Sequence, residues 1–147
     1  MGWDSPRRGA SPRPVGDTET LIRAYFEAFN RHDLEGMLSA LAEDVVHDIN
    51  EGDREVGKEA FRCFKTRMDR CYVEQISDLV VMTSGERGAA EFTCSGRYVG
   101  TDDGLPEARG QEYSIAAAAF FEVSAGKIAR VTSYYSLAGW LRAISSE

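Results

Sequence analysis

The apolar residues of this chain change from helical spacing in its first half to strand-like runs in its second half. Helical periodicity covers residues 17–30, 33–41 and 58–72, and four strand-like runs follow between residues 74 and 135. A short helical pattern over residues 137–144 comes last. Helices followed by consecutive strands are typical of an α+β domain. We therefore predict a cone-shaped, curved antiparallel sheet wrapped around the long first helix.

Each of the first three predicted helices has one apolar face. The faces comprise Leu21, Ile22, Tyr25, Phe26 and Phe29 in the first helix, Leu34, Met37, Leu38 and Leu41 in the second, and Phe61, Phe64, Met68 and Tyr72 in the third. Tyr25 is the one member of the first face that has a polar tip. A buried phenol needs a partner for its hydroxyl. Tyr25 is therefore either a satisfied core tyrosine or a hydrogen-bond donor directed into a cavity.

Residues 1–16 differ in composition from the rest of the chain. They hold three of the four prolines and three arginines, with Trp3 as the main apolar side chain. Such a composition favours a flexible tail. The remaining residues, 17–147, are predicted to form a single domain, because neither a repeat nor a linker interrupts them.

Charge and cysteine content exclude several classes of function. The net charge of −7 argues against nucleic acid or an anionic membrane surface as the main partner. No apolar run approaches the roughly 20 residues of a membrane span. Cys63, Cys71 and Cys94 form an odd set without metal-ligand spacing. They are predicted to be reduced packing residues, which suits a cytoplasmic protein.

The stretch from Val45 to Asn50 is predicted to be a strand that carries two ionisable groups side by side, His47 and Asp48. Buried ionisable groups cost free energy unless they are paired or used in function. Neighbours on a strand point to opposite faces, so in regular pleat Val45, His47 and Ile49 share one face. A β-bulge would instead turn Asp48 inward. We favour the regular pleat.

Several segments resemble the nuclear transport factor 2-like superfamily, which includes the ketosteroid isomerases and the SnoaL-like polyketide cyclases. The matching segments are 24–30 running into 32–35, 42–48, 57–61, 120–123 and 126–131. The resemblance extends over about Thr18 to Trp140. It implies the cystatin-like α+β roll and a pocket lined by aromatic residues. It does not fix the chemistry, because one fold hosts many functions.

The resemblance also implies roles for individual residues. Tyr25 falls where ketosteroid isomerases place the tyrosine of the oxyanion hole. The partner acid of that hole falls on Ala117, which argues against steroid isomerase activity. The general-base aspartate falls on Ile49, one residue beyond Asp48. The same register puts His47 in the pocket, and Asp48 outside it or at its rim.

We therefore identify His47, Tyr25 and Asp48 as catalytic candidates. His47 and Tyr25 suit a proton-transfer pair, since histidine is the commonest general base and a phenol can stabilise an enolate. The alternative is that both are satisfied core residues. The substrate-binding candidates are Phe61, Phe64, Phe92, Cys94, Tyr113, Ala117, Ser133, Tyr135 and Trp140.

Two functions remain open at this level. The first is an isomerase, cyclase or dehydratase that acts without a cofactor or metal on a small apolar carbonyl compound. The second is a non-catalytic ligand-binding or structural dimer module of the same fold. Either form is expected to be a homodimer, because the second face of strands 89–99 and 111–123 is too apolar for open solvent. That face bears Glu91, Thr93, Ala116, Ala118 and Phe120.

Overall fold

The computed structural model describes residues 17–145. The elements are α1 Asp17–Asn30, α2 Leu34–Ser39, β1 Leu41–Ile49, β2 Arg54–Val56, α3 Lys58–Cys71, β3 Tyr72–Ser84, β4 Arg87–Tyr98, β5 Gln111–Ser124, β6 Lys127–Tyr135 and α4 Leu137–Ser145. This order confirms the predicted α+β class. The flexible tail predicted for residues 1–16 lies outside the described residues.

The described strands form one sheet in the order β2-β1-β6-β5-β4-β3. Successive strands from β3 to β6 pair antiparallel, as hairpin neighbours do. The predicted antiparallel sheet contains one parallel pair, formed by β1 and β6. These two strands are joined through several intervening elements, so no hairpin forces them into opposite directions.

Two helices are shorter than their apolar periodicity predicts. Leu41 begins β1 and Tyr72 begins β3, whereas the sequence placed them in α2 and α3. Leu41 is buried in the strand as it would be in a helix, so its apolar character does not distinguish the two. Between β1 and α3 lies the three-residue strand β2. It pairs with β1 through Val46 and Val56.

Helix α1 is fastened to β3 near both of its ends. The Thr18 hydroxyl donates to the carbonyl of Gly85, in the turn after β3, at 2.8 Å. The Asn30 side chain bonds both backbone groups of Ile76, at 3.0 Å and 2.7 Å. Just beyond Ile76, a bulge around Asp78 shifts the pairing of β3 with β4 and bends the strand. These contacts fix the face of α1 that carries Tyr25 against the sheet.

The buried residues form two clusters. The larger lies between α1 and the concave face of the sheet and includes Ile22, Phe26 and Phe121. The smaller lies under α4 and is built from Tyr98, Tyr113, Trp140 and Ile144. Among the cysteines, Cys71 and Cys94 are buried, but Cys63 is exposed. The packing role predicted for Cys63 is therefore wrong, because it lies on the solvent side of α3.

Candidate active site

A cavity of about 330 Å³ lies between α1, α3, α4 and the concave face of the sheet. Its volume is within the usual range for small-molecule pockets. Most of its wall is aromatic or aliphatic. The residues with polar or charged side chains in the wall are Tyr25, His47, Lys65, Arg67, Tyr72, Glu74, Asp102, Ser133, Tyr134 and Tyr135.

Tyr25 lies on the buried face of α1 and is only 8% exposed. Its ring packs edge-on against Phe26, Phe61 and Phe121, with centroid distances of 5.3, 6.3 and 5.7 Å. The hydroxyl makes no hydrogen bond to any residue that the structure describes. Burial raises the pKa of Tyr25 well above its ordinary value. Tyr25 therefore remains a protonated donor that is free to bind a ligand oxygen.

His47 projects from β1 into the same cavity and is 5% exposed. Its ring lies 5.0 Å from the ring of Phe61 and 4.8 Å from that of Phe64. The Nδ1 atom is buried without a hydrogen-bond partner in the described structure. Burial lowers the pKa of His47 to about 4, although the charge of Asp48 acts in the opposite direction. The imidazole is therefore neutral at pH 7.

Asp48 lies on the opposite face of β1, away from the cavity wall. It accepts hydrogen bonds from Arg54 at 2.6 and 3.0 Å, and from the Thr132 hydroxyl at 2.8 Å. The bond from Arg54 is the main reason that the pKa of Asp48 is lowered to about 2. Pairing with β6 is irregular between Leu41 and Val46 but regular from Val46 to Ile49. No bulge therefore turns Asp48 inward, and the structure does not bring it to the other two catalytic candidates.

All but one of the substrate-binding candidates contribute to the cavity wall. Those in the wall are Phe61, Phe64, Phe92, Cys94, Ala117, Ser133, Tyr135 and Trp140. The exception is Tyr113, which packs in the smaller cluster under α4. Burial, and then the charge of Glu74, raise the pKa of Cys94, so its thiol keeps its proton.

Glu74 is a cavity residue that the sequence analysis missed. It lines the cavity from β3, and its carboxylate accepts a 2.5 Å hydrogen bond from the Tyr113 hydroxyl. The alternation of Tyr72, Glu74 and Ile76 in the sequence contained the signal, because alternate residues of a strand share one face. A carboxylate between two apolar residues of that face indicates a polar group inside the pocket.

Within residues 17–145, no group of three or more histidine, cysteine, aspartate or glutamate side chains is placed to hold a metal ion. None of the helices in that range is both long and apolar enough to cross a membrane.

Comparison with known proteins gives a consistent family and fold. The model of the SnoaL-like domain family matches residues 22–131. The chain is 48% identical to a candidate polyketide cyclase from Xanthomonas campestris, with a TM-score of 0.85 over 87% of this chain and 96% of that one. It is 49% identical to another from Pseudomonas putida, with a TM-score of 0.85 over 88% of this chain and 98% of that one.

More distant structures share the fold alone. A nuclear transport factor 2-like protein of unknown function from Burkholderia pseudomallei is 20% identical, with a TM-score of 0.76 over 88% of this chain and 98% of that one. No curated protein sequence matches the chain.

Proposed function

The chain belongs to the SnoaL-like domain family, and from that premise we propose that its cavity performs cofactor-free proton transfer on a small apolar carbonyl compound. The resulting reaction is an isomerisation, a cyclisation or a dehydration. One observation carries the proposal: a neutral imidazole and a phenol, neither with a hydrogen-bond partner among the described residues, line the same apolar cavity. The similarity to two candidate polyketide cyclases supports the same class of chemistry.

In the proposed mechanism, His47 removes a proton from the carbon next to the substrate carbonyl. The electron pair of the broken C–H bond moves into the enolate, and the Tyr25 hydroxyl donates a hydrogen bond to the enolate oxygen. The imidazolium then returns its proton to another carbon in an isomerisation or to the leaving hydroxyl group in a dehydration. In a cyclisation, the enolate carbon instead forms a bond to a second carbonyl carbon of the substrate, and the oxygen of that carbonyl takes the proton. A base with a pKa of about 4 is weak, but ketosteroid isomerases use one of about 4.6 when the oxyanion is stabilised.

Two side chains of the cavity wall determine how strongly the enolate is stabilised, and therefore which substrates can react. Ala117 lines the cavity at the position where the resemblance implies a carboxylic acid, so the enolate has one strong donor fewer than in a ketosteroid isomerase. Ser133 is the second donor in the proposal, because its side chain is also in the wall. Weaker stabilisation favours a substrate whose C–H group is more acidic than that of a simple ketone, such as a carbon between two carbonyl groups.

The function can be tested before the natural substrate is known. Tetralone, a bicyclic ketone, is incubated with the protein in deuterium oxide, and exchange of its α-protons is followed by NMR. We expect the wild type to exchange these protons faster than buffer alone. Tyr25→Phe removes the hydroxyl with little change in volume, and should slow the exchange by ~10²-fold, the usual effect of losing one oxyanion donor.

A non-catalytic binder is the second candidate, favoured by the low pKa of His47, which makes it a weak base. A binder would hold tetralone and shield its ring without accelerating exchange. Saturation-transfer NMR that detects bound tetralone, together with exchange at the buffer rate in wild type and variant alike, would establish this candidate and reject the enzyme.

The homodimer and the cytoplasmic location are further parts of the proposal. Phe120 on β5 and Tyr134 on β6, which also borders the cavity, are each 42% exposed, and their rings pack edge-to-face at 5.8 Å. Such an exposed aromatic pair suits burial against a second copy. Sedimentation should detect a dimer that Phe120→Glu converts to monomer, and a monomeric wild type at micromolar concentration contradicts it. The three unpaired cysteines support a reducing compartment.

A further inference from the structure

A carboxylate is built into the cavity wall by a row of residues on three neighbouring strands. Glu74 on β3 pairs with Gly96 on β4, which pairs with Tyr113 on β5. The Tyr113 hydroxyl reaches across the middle strand and donates to Glu74 Oε2 at 2.5 Å. The contact spans β4 because the middle residue has no side chain.

Gly96 is required for this contact. A Cβ atom at this position would lie 2.8 Å from the Tyr113 hydroxyl oxygen and 2.9 Å from Cγ of Glu74. It would also lie 2.6 Å from the backbone carbonyl oxygen of Val73, which cannot move aside as a flexible side chain can. Glycine at this position therefore leaves the space in which the Tyr113 hydroxyl reaches Glu74.

The bond leaves the carboxylate oriented but not neutralised. Burial, and then the Glu74 charge, raise the pKa of Tyr113, so its hydroxyl keeps its proton and continues to donate. Oε2 accepts the bond from Tyr113, and the Cys94 thiol is a second, weak hydrogen-bonding neighbour of the Glu74 carboxylate. Glu74 also forms no salt bridge within residues 17–145. The wall thus presents an oriented carboxylate that has neutral donors beside it and no paired cation among the described residues.

The cationic residues of the cavity wall have other contacts. Lys65 pairs with Asp69 and lies over the ring of Phe29, 4.4 Å from its centroid. Arg67 lies against the ring of Phe64, at 5.7 Å.

A second carboxylate adds to the negative charge of the wall. Asp102 accepts a 2.8 Å hydrogen bond from the Tyr72 hydroxyl and forms no salt bridge with a described residue. Glu74 and Asp102 thus give the wall two carboxylates with tyrosine donors and without paired cations.

We propose that Glu74 is the specificity-determining residue that binds a hydrogen-bond donor, a hydroxyl or a protonated amine, on an otherwise apolar ligand. The inference deepens the proposed function and rests on it for the use of the same cavity. In sheet order, β6, β5 and β4 separate β1, which carries His47, from β3, which carries Glu74. The substrate is therefore a carbonyl compound that carries its donor group apart from the reacting carbonyl. A ligand without the donor leaves the carboxylate unpaired, and an anionic ligand meets repulsion.

Binding of three matched probes tests the inference without requiring catalysis. The probes are naphthylmethylamine, naphthylmethanol and methylnaphthalene, which share the ring system and differ in the donor, and affinity is measured by titration calorimetry. We expect the amine and the alcohol to bind the wild type about tenfold more tightly than methylnaphthalene. Glu74→Gln should remove most of the preference for the amine and leave the affinity for methylnaphthalene unchanged.

Two further variants separate this role from a general loss of structure. Tyr113→Phe frees the carboxylate from its fixed position and should reduce the preference for both donors by about threefold. Glu112→Gln changes an exposed carboxylate on the neighbouring residue of β5 and should leave all three affinities unchanged.

The inference is overturned if the wild type binds the three probes equally, if it binds neither donor probe, or if Glu74→Gln keeps the preference for the amine. A preference for the amine alone identifies the ligand class as cationic, and equal preference for both donors identifies it as hydroxylated or cationic. Failure of the proposed function is a separate result, because it appears as absent proton exchange whatever the probe affinities are.

Discussion

The two faces of β1 treat adjacent ionisable residues in opposite ways. On the outer face, Asp48 is bound by Arg54 and Thr132, and its pKa is lowered to about 2. On the inner face, His47 has no hydrogen-bond partner at Nδ1, and burial lowers its pKa to about 4. The paired group serves the structure. The unpaired group carries a desolvation cost that no hydrogen bond at Nδ1 from a described residue offsets, which is typical of functional residues.

The largest expected difference between the two faces of β1 is in catalysis. We expect His47→Gln to slow tetralone α-proton exchange by ~10²–10⁴-fold, because the variant loses the general base. Asp48→Asn is the matched control on the other face and should change the rate by less than about threefold, through its weak charge effect on His47. A large loss in Asp48→Asn with exchange retained in His47→Gln would assign the base to the outer face.

A second prediction concerns the pH dependence of stability. The folded pKa of His47 is lowered from 6.5 to about 4, so the unfolded state binds more protons between these values. The contribution of His47 to the free energy of unfolding is therefore fully present above pH 6.5. It falls by up to ~3 kcal/mol as the pH falls to 4. Urea unfolding at a series of pH values measures this slope.

The variant His47→Gln isolates the contribution of His47 to that slope. Its free energy of unfolding should fall less between pH 7 and pH 4.5 than that of the wild type. Asp48 keeps its charge throughout this window, because its folded pKa is about 2. An equal slope in the wild type and His47→Gln would show that His47 is not desolvated in the fold.

The smallest expected effect is that of the outer face on stability. Asp48→Asn weakens the contact with Arg54, whose side chain is 61% exposed, and keeps an acceptor for Thr132. Exposed ion pairs contribute little, so the melting temperature should fall by only about 2–4 °C. High salt should reduce this difference further. A fall of more than about 10 °C would mean that the outer face holds the strand in place.

The sequence was sufficient for the fold class and for the alternation along β1, because side-chain direction follows from the pleat alone. It could not show that Leu41 and Tyr72 begin strands, since an apolar residue at the end of a helical stripe suits either element. The parallel pairing of β1 with β6 depends on contacts between distant segments. No local pattern reports such contacts.

The contact between Tyr113 and Glu74 could not be predicted from the sequence for a similar reason. The strand parity of Tyr113 suggested a place in the cavity wall, but its ring packs under α4 and only its hydroxyl reaches Glu74. That contact requires three strands in one register with Gly96 between the two side chains. Sequence spacing gives the parity of each strand separately, and the register between strands appears only in the folded chain.

NMR titration of the His47 ring signals shows whether this imidazole is neutral at pH 7 and faces the cavity. The His47→Gln spectrum assigns the signals, since the chain contains only one other histidine, His32. We expect a His47 midpoint near pH 4 in the free protein, and ring signals that shift when tetralone is added at pH 7. A midpoint at or above 6.5, with ring signals unaffected by tetralone, would contradict it.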